Sequence, residues 1–484
     1  MGMGSRSATF NLGGARGYAR GVQSPLSFRG GLAGALLPFA LFLSGVGWLA
    51  LSGAPDEKGF WPVLLAALTL GLVLARDRTR WCETALAGMG RPIVMLMILA
   101  WMLSGVLGAL LAASGFVGSL AWLADAAHLT GPAYVAAAFL ACALVATSTG
   151  TSFGTILLAG PLLYPAGGAL GSSPAVLIGA ILGGATFGDS ISPLSDTTIA
   201  SAGTQGADVG GVVRSRLKYV LPAGLCAVAA SVLLDLAAPH AALAPGAHPA
   251  LSPRGLPMLL IPCLVFFLLL RRRHLIESLL LGILATTLLA LCLSLLTPQQ
   301  LVFLDPAAFT AKGLIVDGMS RGLGASVFTI LLIGLVETLV ATGALERLVA
   351  FATRPGASPR STELWIVGAV SGAVLLTTHS IVSMLAVGEL ARRGGEAAGL
   401  SPYRRANLLD MTVCTWPFLL PYCVPTILAA SSSASGAAFG LPRVTPLEAG
   451  MNNTYAWALL VAVAVAVGTG FGRGEGKPAR ERAL

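Results

Sequence analysis

Two carboxylates and five hydroxyls crowd into one short run of an otherwise apolar chain, Gly188-Asp189-Ser190-Ile191-Ser192-Pro193-Leu194-Ser195-Asp196-Thr197-Thr198. Hard cations such as sodium take oxygen ligands, by the logic that governs calcium and magnesium sites. A carboxylate that holds either a cation or a proton, but not both, is an exchanger in miniature. Gly188 and Pro193 are expected to interrupt the helix that begins near Pro174. Asp189, Asp196, Ser192, Ser195 and Thr197 are therefore the leading candidates for ion or substrate binding, with Asp189 and Asp196 as sodium ligands. In a soluble loop the same acids would serve as helix caps. Inside a membrane they are costly and usually functional.

Three further places carry chemistry. Asp410 is followed by Thr412, Thr415, Pro417, Pro421 and Pro425, a second acid on a proline-broken helix. It also stands close behind Arg404-Arg405, which fits an acid at the membrane surface equally well. Thr147-Ser148-Thr149-Gly150-Thr151-Ser152 lies midway along a long apolar segment, and Thr149 and Ser152 could face an ion. Hydroxyls there could instead bond back to their own helix. Thr377-Thr378-His379-Ser380 occupies the same place in a second segment. His379 has an ordinary pKa of about 6.5, suited to proton exchange, or it could be a hydrogen-bonded packing residue. A phosphate-binding loop ending in Gly-Lys-Ser/Thr is absent, which argues against an ATP-driven pump, and the expectation is a transporter rather than an enzyme.

The elements that must position these groups are membrane helices. Hydrophobic residues make up 55% of the 484 and charged residues 11%, where soluble domains carry about 25% charged. Ala126 to Gly188 holds no Asp, Glu, Lys or Arg, and about 20 such residues span a bilayer. Apolar runs predict spans at 32–52, 60–75, 92–113, 132–173, 174–206, 217–238, 256–270, 275–296, 322–343, 363–391, 406–430 and 455–472. The seven cysteines lie singly, without metal-ligand spacing or disulfide-like pairing.

The net charge of +9 is clustered rather than spread. Of the 30 Lys and Arg, 25 fall in the N-terminal tail, the stretches 76–91, 214–218, 271–273, 344–362 and 392–405, and the C-terminal tail. This excludes nucleic acid as the natural partner and marks cytoplasmic loops. Walking the chain with those loops inside requires 132–173 and 363–391 each to enter and leave on one side. The expected fold is all-α and polytopic, with two inverted repeats. Each repeat has three helices, a re-entrant hairpin and two helices, one of the helices being broken. The boundaries are a cytoplasmic basic tail over 1–31, a first repeat over 32–238, an extracytoplasmic linker over 239–255, a second repeat over 256–472 and a cytoplasmic tail over 473–484. Inverted repeats are the common plan of secondary transporters.

The run from Gly188 to Thr198 resembles the signature of the NhaC-type sodium/proton antiporters, of the ion-transporter superfamily. Ser148-Thr149-Gly150-Thr151-Ser152-Phe153-Gly154-Thr155 is similar to that family's first hairpin tip. The resemblance implies inverted repeats with re-entrant hairpins and exchange of sodium for protons, or exchange coupled to a small organic anion. Two departures bear on ion choice: Ser190 directly after the first acid, and Pro421-Tyr422-Cys423 where the family has Pro-Trp-Asn.

The resulting expectation is a bacterial inner-membrane Na⁺/H⁺ antiporter with both termini cytoplasmic and no cofactor beyond the transported ions. Asp189 and Asp196 would carry cation and proton, aided by Ser192, Ser195, Thr197, Thr149 and Ser152. Asp410, Thr412, Thr378 and His379 would contribute from the other repeat. Its partners would be lipid, an inorganic cation and, in the alternative, an organic anion, with a homodimer as the assembly to test. The rival readings are an ion-coupled carrier of an organic acid or amino acid, and an ion channel.

Overall fold

A computed structural model describes residues 25–51, 57–126, 130–238, 252–271, 273–306, 309–344, 358–378 and 380–473. Most of both tails, most of the linker 239–255 and His379 lie outside the described residues. Seven helices among them are long and apolar enough to cross a membrane, and three shorter apolar helices accompany these. The chain is a multi-pass α-helical membrane protein. Among the described residues a two-stranded hairpin pairs Phe303–Asp305 with Thr310–Lys312, and an isolated bridge joins Phe28 to Ala75.

The first half runs α1 (Gly31–Leu51), α2 (Phe60–Leu74), α3 (Arg78–Met89), α4 (Pro92–Ala113), α5 (Phe116–Ala126), α6 (Gly131–Thr149), α7 (Ser152–Ala169), α8 (Pro174–Ile191), α9 (Asp196–Gln205) and α10 (Val209–Ala237). The bounds of α4 follow from its residues. Pro92 sits where a missing N–H costs nothing, the apolar run is uninterrupted, and the helix gives way to Gly115 at φ 80°. The basic stretch 76–91, read from sequence as a loop, is largely the helix α3, capped by Asp77 onto the Arg80 N–H at 3.0 Å. Likewise 214–218 is not a loop, because α10 starts at its Asp208 cap and buries Arg216. Arg404 and Arg405 are also buried within a helix rather than exposed in one of the loops.

Both long polar-centred segments are helical hairpins. The first, α6–α7, turns at Gly150 with φ 70°, and Thr151 then caps α7 by accepting from the Gly154 N–H at 3.2 Å. The second joins helices Pro359–Thr377 and Ser380–Ala397. Its turn begins at Thr378, a non-glycine residue held at φ 54°. Left-handed backbone disfavours a side chain, so Thr378 is held there by its surroundings.

After each hairpin comes a broken helix. In the first half α8 stops at Ile191, Ser192 to Ser195 are non-helical, and α9 resumes at Asp196. Pro193 accounts for the interruption, having no N–H to continue the ladder. Gly188 does not take part in it, contrary to the sequence expectation. It lies inside α8, where a Cβ would come 2.2 Å from the Ala143 carbonyl oxygen, so its role is close packing of α8 on α6. In the second half Pro402–Val413 gives way to a short 3₁₀ turn at Trp416–Phe418 and then to Val424–Ser432. The last long helix is Thr454–Thr469.

The halves pack reciprocally. The short helix α3 packs against helix Leu323–Val340, and the short helix Leu314–Arg321 packs against α4. Glycines make both contacts close. A Cβ on Gly88 would lie 2.5 Å from Glu337, and one on Gly318 would lie 2.5 Å from Val106. In the same way α9 lies on the second hairpin, while helix Val424–Ser432 lies on α7 of the first.

These contacts predict opposite responses to the same chemical change. Gly150→Ala places a methyl 2.5 Å from the Leu194 backbone at a left-handed position, and should cost more than about 1 kcal/mol. Gly368→Ala, in a helix with open space around it, should be neutral or stabilising by roughly 0.5–1 kcal/mol. Thermal unfolding of the detergent-solubilised protein separates the two, and equal melting temperatures would contradict the packing described.

Candidate functional site

The two hairpin turns and the two helix breaks meet at one cavity of about 170 Å³. The first turn contributes Gly150 to Gly154, the first break Asp189, Ser195, Asp196 and Thr197. The second turn contributes Thr378 and Ser380, the second break Cys414, Pro417 and Val424. Leu96, Met97 and Ala100 of α4 close one side. The convergence has a local cause. Gly150, lacking a side chain, lets the first turn lie against the Leu194 backbone. Ser192 fastens them, its hydroxyl donating to the Thr147 carbonyl at 2.7 Å and accepting from the Leu194 N–H at 3.2 Å.

Asp189 is 6% exposed, and its Oδ1 has no hydrogen-bond partner in the protein. The hydroxyls of Ser195 and Ser152 flank the carboxylate. Asp196, at the start of α9, lines the same cavity but is exposed. The Ser195 and Thr197 hydroxyls bond each other at 3.0 Å, and the Thr197 hydroxyl lies 3.9 Å from the Cys414 thiol. A buried carboxylate oxygen without a partner is expensive. Its surroundings of hydroxyl and carboxylate oxygens fit a hard cation or a proton.

Four helices begin at this cavity, with Ser152, Asp196, Ser380 and Val424 each at or near a first turn. Helix N-termini carry unpaired N–H groups and about half a positive charge. They offset part of the negative charge that Asp189 and Asp196 bring.

Asp410 is fully buried within the protein and does not line the cavity. Its carboxylate forms an ion pair with Arg216, itself 1% exposed. Thr198 also donates to the Asp410 carboxylate, at 3.2 Å. The same guanidinium donates to the Ser190 carbonyl at 2.9 Å, to Thr198 at 2.9 Å and to Asn407 at 3.1 Å. Arg216 thus satisfies backbone freed by the first break while binding the acid of the second broken helix.

The remaining candidates divide. Thr149 and Thr412 donate to carbonyls of their own helices, Val145 at 2.9 Å and Leu408 at 2.7 Å, and neither lines the cavity. Ser152 and Thr378 do line it. Ser190 bonds back to Thr186 at 2.8 Å, and Cys423 is buried behind the cavity wall, so neither departure from the family pattern reaches the cavity directly. Sequence reading missed Arg216, Asn407 and Cys414, and held Thr151 and Ser380 only as members of the two hydroxyl runs. For Arg216 a signal existed. Val212, Arg216, Tyr219, Val220 and Ala223 fall on one face of a helix counted from the Asp208 cap, and all five are buried.

The ion pair yields a test. Arg216→Gln strands a buried carboxylate, which typically costs about 3–5 kcal/mol. Asp410→Asn added to it should recover most of that loss. The fraction of monodisperse protein after mild heating reads both, and no recovery in the double variant would contradict the pairing.

The profile of the Na⁺/H⁺ antiporter family matches residues 65–234. That stretch contains the first hairpin, the first break and Arg216. The chain is 35% identical over 130 residues to the Na⁺/H⁺ antiporter NhaC of Alkalihalophilus pseudofirmus, covering 27% of this chain and 26% of that protein. It is 39% identical over 90 residues to the malate-2H⁺/Na⁺-lactate antiporter of Bacillus subtilis, 19% of each chain. It is 36% identical over 110 residues to the arginine/ornithine antiporter ArcD of Halobacterium salinarum, 23% of each. The aligned parts thus span about a quarter or less of these relatives. The resemblance to the NhaC-type antiporters is borne out.

Proposed function

We propose that this NhaC-type chain is a secondary transporter that exchanges Na⁺ for H⁺ at Asp189. The observation that carries the reading is the buried, unpartnered Asp189 oxygen on a cavity where two turns and two helix breaks converge. Such breaks are where transporters hold ions and substrates.

The exchange is a competition. Asp189, deprotonated while facing one side, takes sodium with the help of Ser195 and Ser152, and Asp196 and Thr197 hold the approach. Protonation on the other side removes the charge and releases the cation. Asp410 does not join in, because Arg216 already neutralises it; the pair instead fixes the distance between the two broken helices. Switching access requires the halves to be interchangeable. The reciprocal packing of short helices and of broken helices on hairpins supports two inverted repeats. With the basic loops inside, both hairpins are re-entrant and both termini lie in the cytoplasm of a bacterium, under its inner membrane.

One observation favours a second reading, coupled carriage of an organic acid or amino acid. Four helix N-termini suit a bound carboxylate as well as they suit the protein's own acids. Two of the relatives bear names for exchange of such molecules.

In inverted vesicles holding a preset pH gradient, added Na⁺ should collapse it, with Li⁺ and K⁺ scanned alongside. Asp189→Asn should bring the response down to that of vesicles without the protein. Sodium-driven proton movement that survives Asp189→Asn would remove Asp189 from the mechanism.

A further inference from the structure

A second, smaller cavity of about 40 Å³ lies beyond the first along α4 and α7, and Leu157 lines both. On α4 the wall passes from Leu96, Met97 and Ala100 to Trp101, Ser104, Gly105 and Gly108. The step is about two turns, roughly 11 Å, directed away from Arg91 at the start of that helix.

The polar groups on this wall are unusual in kind. Arg321 is half-buried and has no hydrogen bond or ion pair among the described residues. The Trp101 Nε1 and the Ser431 hydroxyl are buried without partners, Trp101 being 4% exposed. An indole N–H and a guanidinium can only donate. The wall carries no carboxylate. The charged groups nearest Arg321 are Asp317, one turn back on its own helix and too far for an ion pair, and the cationic Arg443. A cation would be repelled here. Water could fill the space, but a water accepts only two hydrogen bonds and leaves the guanidinium charge unmet. An arginine at a membrane surface ordinarily extends into solvent, whereas this one faces a cavity between glycines of α4 and the end of helix Val424–Ser432.

We propose that this cavity binds the carboxylate of a small organic anion, with Arg321 as its charge partner and Trp101 and Ser431 as its neutral donors. The size suits a carboxylate head group with its remainder extending toward the opening. For its role in transport the assignment rests on the exchanger reading; for binding itself it does not. A sodium ion and an anion held in the two cavities, offset along α4 by about two turns or roughly 11 Å, would attract each other. At an effective dielectric of about 20 that attraction corresponds to about tenfold mutual strengthening.

The experiment is equilibrium binding of radiolabelled L-lactate and L-malate to the purified full-length protein, with sodium absent or saturating and chloride as competitor. At least one carboxylate should bind, and sodium should tighten it about tenfold. Arg321→Gln should weaken it by more than about tenfold, the scale of a lost charge-assisted hydrogen bond. Ser431→Ala should weaken it a few-fold. Should Arg321→Gln fail to fold, Arg321→Lys and Ser431→Ala carry the same readout. Absence of binding, binding indifferent to both positions, or displacement by chloride at equal concentration would each overturn the assignment. If Arg321-dependent binding persists while sodium has no effect, the subsite stands and the sodium site at Asp189 is what fails.

Discussion

Backbone that leaves a helix inside an apolar medium must find new hydrogen-bond partners or lose several kcal/mol per group. In this protein the side chain that meets that need is Arg216. It donates to the carbonyl of Ser190, exposed as α8 ends, and its positive charge suits a helix C-terminus. A guanidinium so deeply buried then requires an anion, and Asp410 supplies it from the other broken helix. One side chain therefore satisfies backbone freed at the first break and binds that break to the second broken helix.

This arrangement gives two of the three acids different work. Asp410 has a permanent countercharge and hydrogen bonds from Thr198 and the Cys414 thiol, at 3.2 and 3.5 Å. Asp189 has hydroxyl neighbours and one oxygen left without a partner. In the exchange we propose, the second environment is the one that suits a proton or a metal ion, since a group already satisfied gains little from either. The separation also limits how many charges the cavity must accommodate, which matters where four helix N-termini meet.

The fold was legible where composition alone decides it. Hydropathy located most spans within a few residues, α4 being an example, and hydroxyl runs at Thr147–Ser152 and Thr377–Ser380 marked both turns. Reading failed where amphipathic or charged residues are buried. Arg78 to Arg91 looked like a loop because its charges obscured the helix α3, and Arg214 to Lys218 looked like one because three basic residues stood together. The site was partly legible. Asp189 and Ser195 were visible from their density, but the pairing of Arg216 with Asp410 joins positions far apart in sequence. Local spacing carries no trace of such a contact. Gly188 was misjudged for a related reason: what it permits is the approach of α6, a neighbour that the run itself does not mention.

The central claim is that one carboxylate, Asp189, is shared by sodium and the proton. Binding of ²²Na⁺ to the purified protein across a pH series tests it most directly. Competition predicts that apparent sodium affinity weakens steadily as the pH is lowered, with capacity unchanged at saturating sodium. A sodium affinity that does not vary with pH would contradict the account, because the two ions would then occupy different groups.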